Sequence, residues 1–501
     1  SEEDEEIVQK AFSRTFQDPS NLSERFIKFI DKCLDDYETI KGYYAPYTTL
    51  VQASGTGKSK LLINVAEKIM TVYCCLRDSK SSGYPFRSDI ANILVRDFMN
   101  EQEAIATYLA YICACFQKMQ EFDRDFKEWM DWHTNKISQE KFWRDVENRM
   151  GDIKSHLMKC SKDSETTELV KKYLVKKKHI ERKGSVKYLF AFDEAHTLIS
   201  KNDGNKSVGK NSLFYYIRRA LILLPKEAGI FAIFTDTHSN ISNFSPVSYL
   251  DPSKRVAEEG FILFEPFYLL DTVDMNVNFK KVMTLKESAD PQHFFQYGRP
   301  LWGALLMPSS DTKGMESEHI IELAMDKLIG GKFFSVWKKD LKDSQKKIDI
   351  LETLAILGPR LCIEVAPQSG YAPDLIANNM RLCINILEDR KYVVTSMPTE
   401  PVLAEASARI MNDPHVSLTE LINQLSEALK KGVVEAGYRG ELTARLLLLN
   451  AWDCCIKKKN EKEKSFDDTD IIFRFVTIED FLRSLLADNV YEKIENRLEK
   501  K

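Results

Sequence analysis

The stretch TTLVQASGTGKSKLL, residues 48–62, constrains the chain most: β-branched residues run into a Gly-Thr-Gly-Lys-Ser turn and out into a helix-like pattern. Strand, glycine turn and helix in that order suit a phosphate cradle of the form G-x-x-x-x-G-K-[ST], whose small residues let successive backbone N–H groups point at a nucleotide's phosphates. Gly57, Lys58 and Ser59 complete the second half, while Gln52 stands where the first glycine belongs. Gly55 and Gly57 still permit close backbone approach, and a helix starting near Lys58 offers N–H groups and its positive dipole end to phosphate. Gln52 is therefore expected to change the shape of the loop and not its class of ligand. Ser54, Gly55, Thr56, Gly57, Lys58, Ser59 and Lys60 are the residues expected around the phosphates.

The loop acquires meaning from YLFAFDEAH, residues 188–196, where an apolar strand ends in Asp193 and Glu194. At the carboxyl end of a strand beside the loop, Asp193 would hold Mg²⁺ while Ser59 supplies the opposing hydroxyl, and Glu194 would align and deprotonate a water. One Asp-Glu pair after an apolar strand is commonly only a solvated turn; with the glycine loop upstream in the right order, it indicates nucleotide chemistry. In IFTDTHS, Thr235 or Asp236 ends another strand and could sense a γ-phosphate or orient water, with a plain strand-end turn as the alternative. In FFQYGRPLWGALL, Gly298 and Pro300 break an apolar helical pattern, which fits a simple kink or the glycine-x-proline break by which one class of signalling ATPases brings a helical domain against nucleotide. Arg299 would reach phosphate from there. Arg218 and Arg219, on the helix after the acidic strand, are candidates for an arginine finger across a subunit interface, against the commoner case of exposed helix arginines.

A chain of 501 residues, 44% hydrophobic and 29% charged, can bury several cores, and its formal charge of −4 carries no general nucleic-acid or membrane signature. The ten cysteines fall on apolar stretches without zinc spacing, as reduced thiols in a cytoplasmic or nuclear setting would. SEEDEEIVQKAF has neither the basic start nor the apolar core of a signal peptide, so the expectation is a soluble intracellular chain with no membrane partner. A first residue other than methionine makes a longer parent, with a flanking effector domain outside this span, a further expectation. The expected fold class is α/β: a parallel-sheet P-loop NTPase core followed by a mainly helical, winged-helix-like C-terminal region. The expected divisions are a helical lead-in over 1–45, the core over 46–310 with a helical insertion near 89–184, a helical or winged-helix-like domain over 311–435, and a helical segment over 436–501. Strands are expected in YTTLVQAS, TVYCCL, VKYLFAFD, GIFAIFT and GFILFEPFYLL, a helix in KLLINVAEKIM, and a linker in KKKNEKEK.

The ordered set ASGTGKS, FAFDEAH, FYYIRRAL, YGRPLW, PTEPVLAEASA and GELTARLLLL, over about residues 45–485, resembles the STAND/AAA-like P-loop NTPase module of Crinkler-type proteins and related fungal multidomain NTPases. The resemblance implies ATP as ligand, Mg²⁺ as cofactor, and a regulatory or assembly ATPase that can form a homo-oligomer. It also implies an N-terminal translocation header, a C-terminal nuclease-like toxin domain and entry into a host nucleus, none of which this composition shows. Glu441 and Arg445 stand one helical turn apart, and an ion pair accounts for them more simply than a nuclease carboxylate. Two other functions compete with the switch: a helicase-type motor, because ASGTGKS and DEAH also occur in helicases, and a non-hydrolysing ATP-bound scaffold. The basic run KKYLVKKKHIERKGSVK, residues 171–187, is a candidate surface for DNA or RNA, with a solvated insertion helix as the alternative.

Overall fold

Short strands that are apolar throughout can lie side by side only where both faces of their sheet are covered. The computed structural model describes residues 2–13, 18, 20–79, 84–122, 125–175, 184–199, 212–236, 261–278, 284–307, 314–343, 346–387, 390–397, 400–463, 476–486, 490–493 and 495. It is a mixed α/β protein of two units. The first comprises Ser1–Gln52, Gly57–Asp271 and Ile386–Tyr392; the second comprises Ala53–Thr56, Thr272–Asn385 and Val393–Lys501. The break after Asp271 lies ahead of the boundary expected at 310.

In the first unit, helices α1 (Glu2–Ser13) and α2 (Leu22–Thr39) precede β1 (Tyr47–Val51). Helix α3 (Lys58–Val65) leads to β2 (Met70–Cys75); α4 (Ala91–Leu94), α5 (Glu101–Glu121), α6 (Phe126–Thr134), α7 (Lys136–Leu157) and α8 (Asp163–Tyr173) fill the insertion. Then come β3 (Tyr188–Asp193), α9 (Leu213–Ile222) and β4 (Ile230–Asp236). The four strands are parallel in the order β1-β4-β3-β2. Because side chains alternate along a strand, Phe190, Phe192, Ala232 and Phe234 face one core with the insertion and α9, while Leu189, Ala191, Phe231 and Ile233 face another with α2 and α3. Each long insertion helix starts on a polar cap: Asn100 accepts from the Glu103 N–H and Asn135 from the Ser138 N–H.

Two local expectations give way to identifiable physics. The segment 261–270 runs beside β1 through the bridges Tyr43↔Ile262 and Leu50↔Phe267 without forming a continuous strand. Pro266 lies between them and has no N–H to donate to the ladder. The helix expected over 60–70 stops at Val65, and Met70 already belongs to β2, beside Tyr188.

The second unit is helical, with α10 (Leu285–Ser288), α11 (Pro291–Phe294), α12 (Pro300–Leu306), α13 (Ser317–Leu328), α14 (Phe334–Lys342), α15 (Ile350–Leu361) and α16 (Ala372–Asn378) ahead of a two-stranded sheet. That sheet is β5 (Leu382–Leu387) with β6 (Tyr392–Ser396), and α17 (Pro401–Asn412), α18 (Leu418–Lys430), α19 (Arg439–Glu463) and α20 (Ile478–Leu485) follow. Most of the linker expected in KKKNEKEK is instead the end of α19, which continues to Glu463. Lys and Glu are strong helix formers, and a helix already nucleated by GELTARLLLLNAWD propagates through them. No described helix is long and apolar enough to cross a membrane.

Strand β2 is the sheet edge, and its outer backbone is met by side chains of α6. Trp129 Nε1 donates to Thr71 O at 2.7 Å, and His133 Nε2 lies 3.0 Å from Tyr73 N and 3.1 Å from Tyr73 O. Burial pushes the imidazole down to about 4. Between the ordinary histidine value near 6.5 and 4, the unfolded chain binds a proton that the folded chain refuses, so stability falls as pH drops through that window, by about 3 kcal/mol. Denaturant midpoints of wild type and His133→Phe, compared at pH 7 and pH 4.5, should show a steeper acid loss in wild type. Parallel losses in the two proteins would contradict this role for His133.

Candidate functional site

In open parallel sheets, ligands sit outside the carboxyl ends of the strands, and there the first unit gathers its polar residues. Asp193 is level with Cys75 on β2, and Phe192 is level with Phe234 on β4. The next residues along, Asp193 and Thr235, therefore lie side by side. The rings of Phe192 and Phe234 stack at 5.0 Å on the insertion face, so by alternation Asp193 and Thr235 point to the opposite face, the one α3 covers.

Helix α3 brings Ser59 to this place. Its Oγ donates to Asp193 Oδ2 at 2.5 Å, and the Tyr73 hydroxyl donates to the same oxygen. Burial, then the Asp193 charge, pushes the Tyr73 phenol well above its ordinary value, so it remains a donor. Asp193 Oδ1 accepts from the Glu194 N–H at 2.9 Å. Glu194 itself holds a left-handed backbone, φ 52, a conformation that costs a residue with a side chain on the order of 1 kcal/mol. Its carboxylate is paired with Arg77 at 2.9 Å, and His196 Nδ1 stands 3.8 Å away. Thr235 Oγ1 is buried without a hydrogen-bond partner among the described residues, a cost that a bound ligand would remove. Lys58 is buried and its Nζ donates to Gln52 O at 2.7 Å. Gln52 is tied in turn through Nε2 to Tyr268 O at 3.0 Å, so the residue in the missing glycine's place is an anchor of the loop. Lys60 Nζ reaches Phe12 O at 2.7 Å, and burial lowers its pKa.

Residues Ala53–Thr56 belong to the second unit, where side chains hold their carbonyls. Thr56 Oγ1 donates to Ala53 O at 2.9 Å, Arg299 Nη1 to Ser54 O at 2.6 Å, and Thr272 Oγ1 to Thr56 O at 2.8 Å. In a trans peptide, C=O and the following N–H point in opposite directions. The N–H groups of Ser54, Gly55 and Gly57 are thus directed away from the side chains that hold the loop. Gly55, at φ 77, has no room for a Cβ, which would meet Leu301 Cδ2 at 2.9 Å.

Arg299 is fully buried, and its guanidinium is spent on protein acceptors: Glu400 at 2.9 and 2.7 Å, Met380 O at 2.6 Å and Ser54 O. Trp302 Nε1 adds a bond to Glu400 Oε2 at 3.2 Å, and a Cβ on Gly298, at φ 83, would stand 2.6 Å from Glu400. The structure therefore places Arg299 as the hub of an ion pair where phosphate contact was expected. Arg218 is 1% exposed, with its guanidinium 4.7 Å from the Tyr44 ring centroid and 5.4 Å from that of Phe214. It is a core cation and not the surface arginine that a finger needs. Arg219 pairs with Asp163 at 3.4 Å within the same unit. Arg445 pairs with Glu441 at 3.1 Å, the expected helix-turn pair. Of the basic run 171–187, residues 176–183 lie outside the described residues.

Sequence reasoning missed Tyr73, Arg77 and Glu400. No local pattern marks the first two; Glu400 stood in plain view within PTEPVLAEASA without a partner to give it meaning. Removing one member of a buried pair strands the other charge, at about 3–5 kcal/mol. Glu400→Ala should lose that much stability in denaturant melts, and Arg299→Met combined with Glu400→Leu should recover part of it; a near-neutral single variant would show that the pair is not the hub described.

Neither a curated protein nor a solved structure matches the chain. Residues 339–482 match a domain of unknown function, DUF8736. Residues 18–270, half of the chain, match a second such domain, and the chain accordingly belongs to the family of that domain of unknown function, DUF8735.

Proposed function

We propose that this chain is a Mg²⁺-dependent ATP-binding and ATP-hydrolysing module, a P-loop NTPase core whose hydrolysis drives a conformational change or self-assembly. The observation that carries the reading is the bond from Ser59 on the first turn of α3 to Asp193 at the end of β3. A hydroxyl and a carboxylate on one point, beside a helix N-terminus and a buried lysine, are the parts a phosphate-bound divalent ion uses. Mg²⁺ fits these residues: both are hard oxygen donors, and Mg²⁺ takes few protein ligands alongside water and phosphate. When bound, it would neutralise phosphate charge. Lys58 would turn from Gln52 O to phosphate, and the N–H groups of the first turn of α3 would donate to phosphate oxygens. Thr235 would donate its unpartnered hydroxyl. Glu194 would accept the proton of the attacking water once released from Arg77.

Adenine preference, a homo-oligomer and a flanking effector domain rest on the resemblance to Crinkler-type proteins, and an intracellular setting on cysteines that are free thiols. Helices α15 and α16 followed by the β5–β6 hairpin support a winged-helix-like reading of the second unit, while DNA or RNA as a partner rests on the basic run 171–187. The motor reading is weaker, because the described residues after 272 contain only the two strands β5 and β6, where a helicase needs a second strand series. The scaffold reading draws on the Arg77–Glu194 pair, which occupies the base.

Steady-state ATP hydrolysis with Mg²⁺ should fall at least a hundredfold in Glu194→Gln with ATP binding retained, as loss of a general base does, whereas Lys58→Ala should lose binding. Lys58→Ala that binds ATP as tightly as wild type would overturn the site, and wild type that binds without turnover would leave the scaffold.

A further inference from the structure

The carboxylate assigned to the metal is held by a group that the phosphate loop does not supply. Tyr73 is 3% exposed, and its hydroxyl meets the same Asp193 Oδ2 that takes the Ser59 hydroxyl. A carboxylate with one oxygen held by Ser59 alone could rotate about its Cβ–Cγ bond when that hydroxyl turns its lone pair to a cation. With Tyr73 on Oδ2 and the Glu194 N–H on Oδ1 at 2.9 Å, the plane of the carboxylate is set before any ion arrives. The phenol is fixed in its turn: β2 is the edge strand, and His133 Nε2 from α6 holds the Tyr73 backbone, accepting from its N–H or donating to its C=O according to the tautomer, while Trp129 holds Thr71 O two residues earlier.

We propose that Tyr73 is a positioning residue that sets the affinity of the site for Mg²⁺, and that helix α6 of the insertion sets the position of Tyr73. The proposal rests on the nucleotide reading of the site. Its chemistry is that of an outer-shell hydrogen bond orienting a metal-binding carboxylate, a kind of contact whose loss costs about 10–100-fold in metal affinity. Tyr73 touches no substrate on this account, and the phosphate contacts of the loop do not depend on it. The insertion thereby acquires a direct mechanical line to the metal: a shift of α6 moves the β2 backbone, the phenol and the carboxylate in sequence.

The test uses the full chain and a fluorescent ATP analogue. Its affinity is measured in EDTA, and the Mg²⁺ concentration giving half of the metal-dependent binding is measured separately, for wild type, Tyr73→Phe and His133→Gln. Tyr73→Phe should raise the Mg²⁺ half-saturation about tenfold while leaving affinity in EDTA within twofold, and His133→Gln should move it in the same direction by less. A merely structural role would weaken binding in EDTA as much as in Mg²⁺, and that result overturns the proposal. So does an unchanged or lowered Mg²⁺ half-saturation in Tyr73→Phe, which leaves the nucleotide site standing. Should Tyr73→Phe not fold, an unchanged Mg²⁺ half-saturation in a folded His133→Gln defeats the coupling through α6. Wild type that binds no nucleotide overturns the reading of the site itself, and this inference with it.

Discussion

The contact between Ser59 and Asp193 joins two places that the sheet keeps apart, since β4 lies between β1 and β3. Its hydrogen bond contributes about 1–3 kcal/mol even with a charged acceptor. Leu61, Leu62 and Val65 of the same helix are fully buried, at about 1.5–3 kcal/mol each. Packing is therefore the larger effect and decides where α3 lies; the bond forms because the helix is already seated. The consequence is a local geometry set by the apolar core beneath it and not by the hydrogen bond itself.

The second unit solves a different problem with a buried charge. Arg299 brings together Ser54 of the glycine loop, the residue before Arg381 and β5, and Glu400 at the start of α17. Desolvating such a pair offsets much of its Coulomb attraction, so net stability is a weak reason for it to exist. Its geometric demand is stronger: a bidentate guanidinium fixes the angle between its partners, and Gly298 is required to let Glu400 approach. In this unit, specificity of arrangement is the better account of the pair.

The parts of the fold that could be read in the sequence were those fixed by neighbours along the chain. β1 to β4 were legible because four short apolar runs each end in a turn, and the insertion because its helices carry long periodic stretches. The errors lay where a distant or single residue decides: Pro266 interrupts an otherwise strand-like run, and α19 extends through charges that looked like a linker. Within the site, Lys58, Ser59, Asp193 and Glu194 were visible from motif spacing. Tyr73 and Arg77 were not, because their partners lie 120 and 117 residues away and nothing local announces them. Gln52 was visible as a departure, but its tie to Tyr268 depends on a contact 216 residues along the chain.

The insertion is best understood from the edge that the sheet leaves open. An edge strand presents unpaired N–H and C=O groups, which chains usually blunt with charge, a bulge or a covering element. β2 has none of the first two in MTVYCC. The chain that leaves β2 instead returns as α6, and Trp129 and His133 do for that edge what another strand would do, with side-chain nitrogens in place of a backbone ladder. A side chain can make this contact only in one register. Trp129 meets Thr71 and His133 meets Tyr73, four residues apart on a helix against two on a strand, roughly 6 Å of rise against 7 Å. Matching those rises fixes α6 lengthwise along β2, and fixing it lengthwise is what carries its position to Tyr73 and Asp193. An insertion that only covered a face could slide; one that also closes an edge cannot, and this couples it to the strand ends.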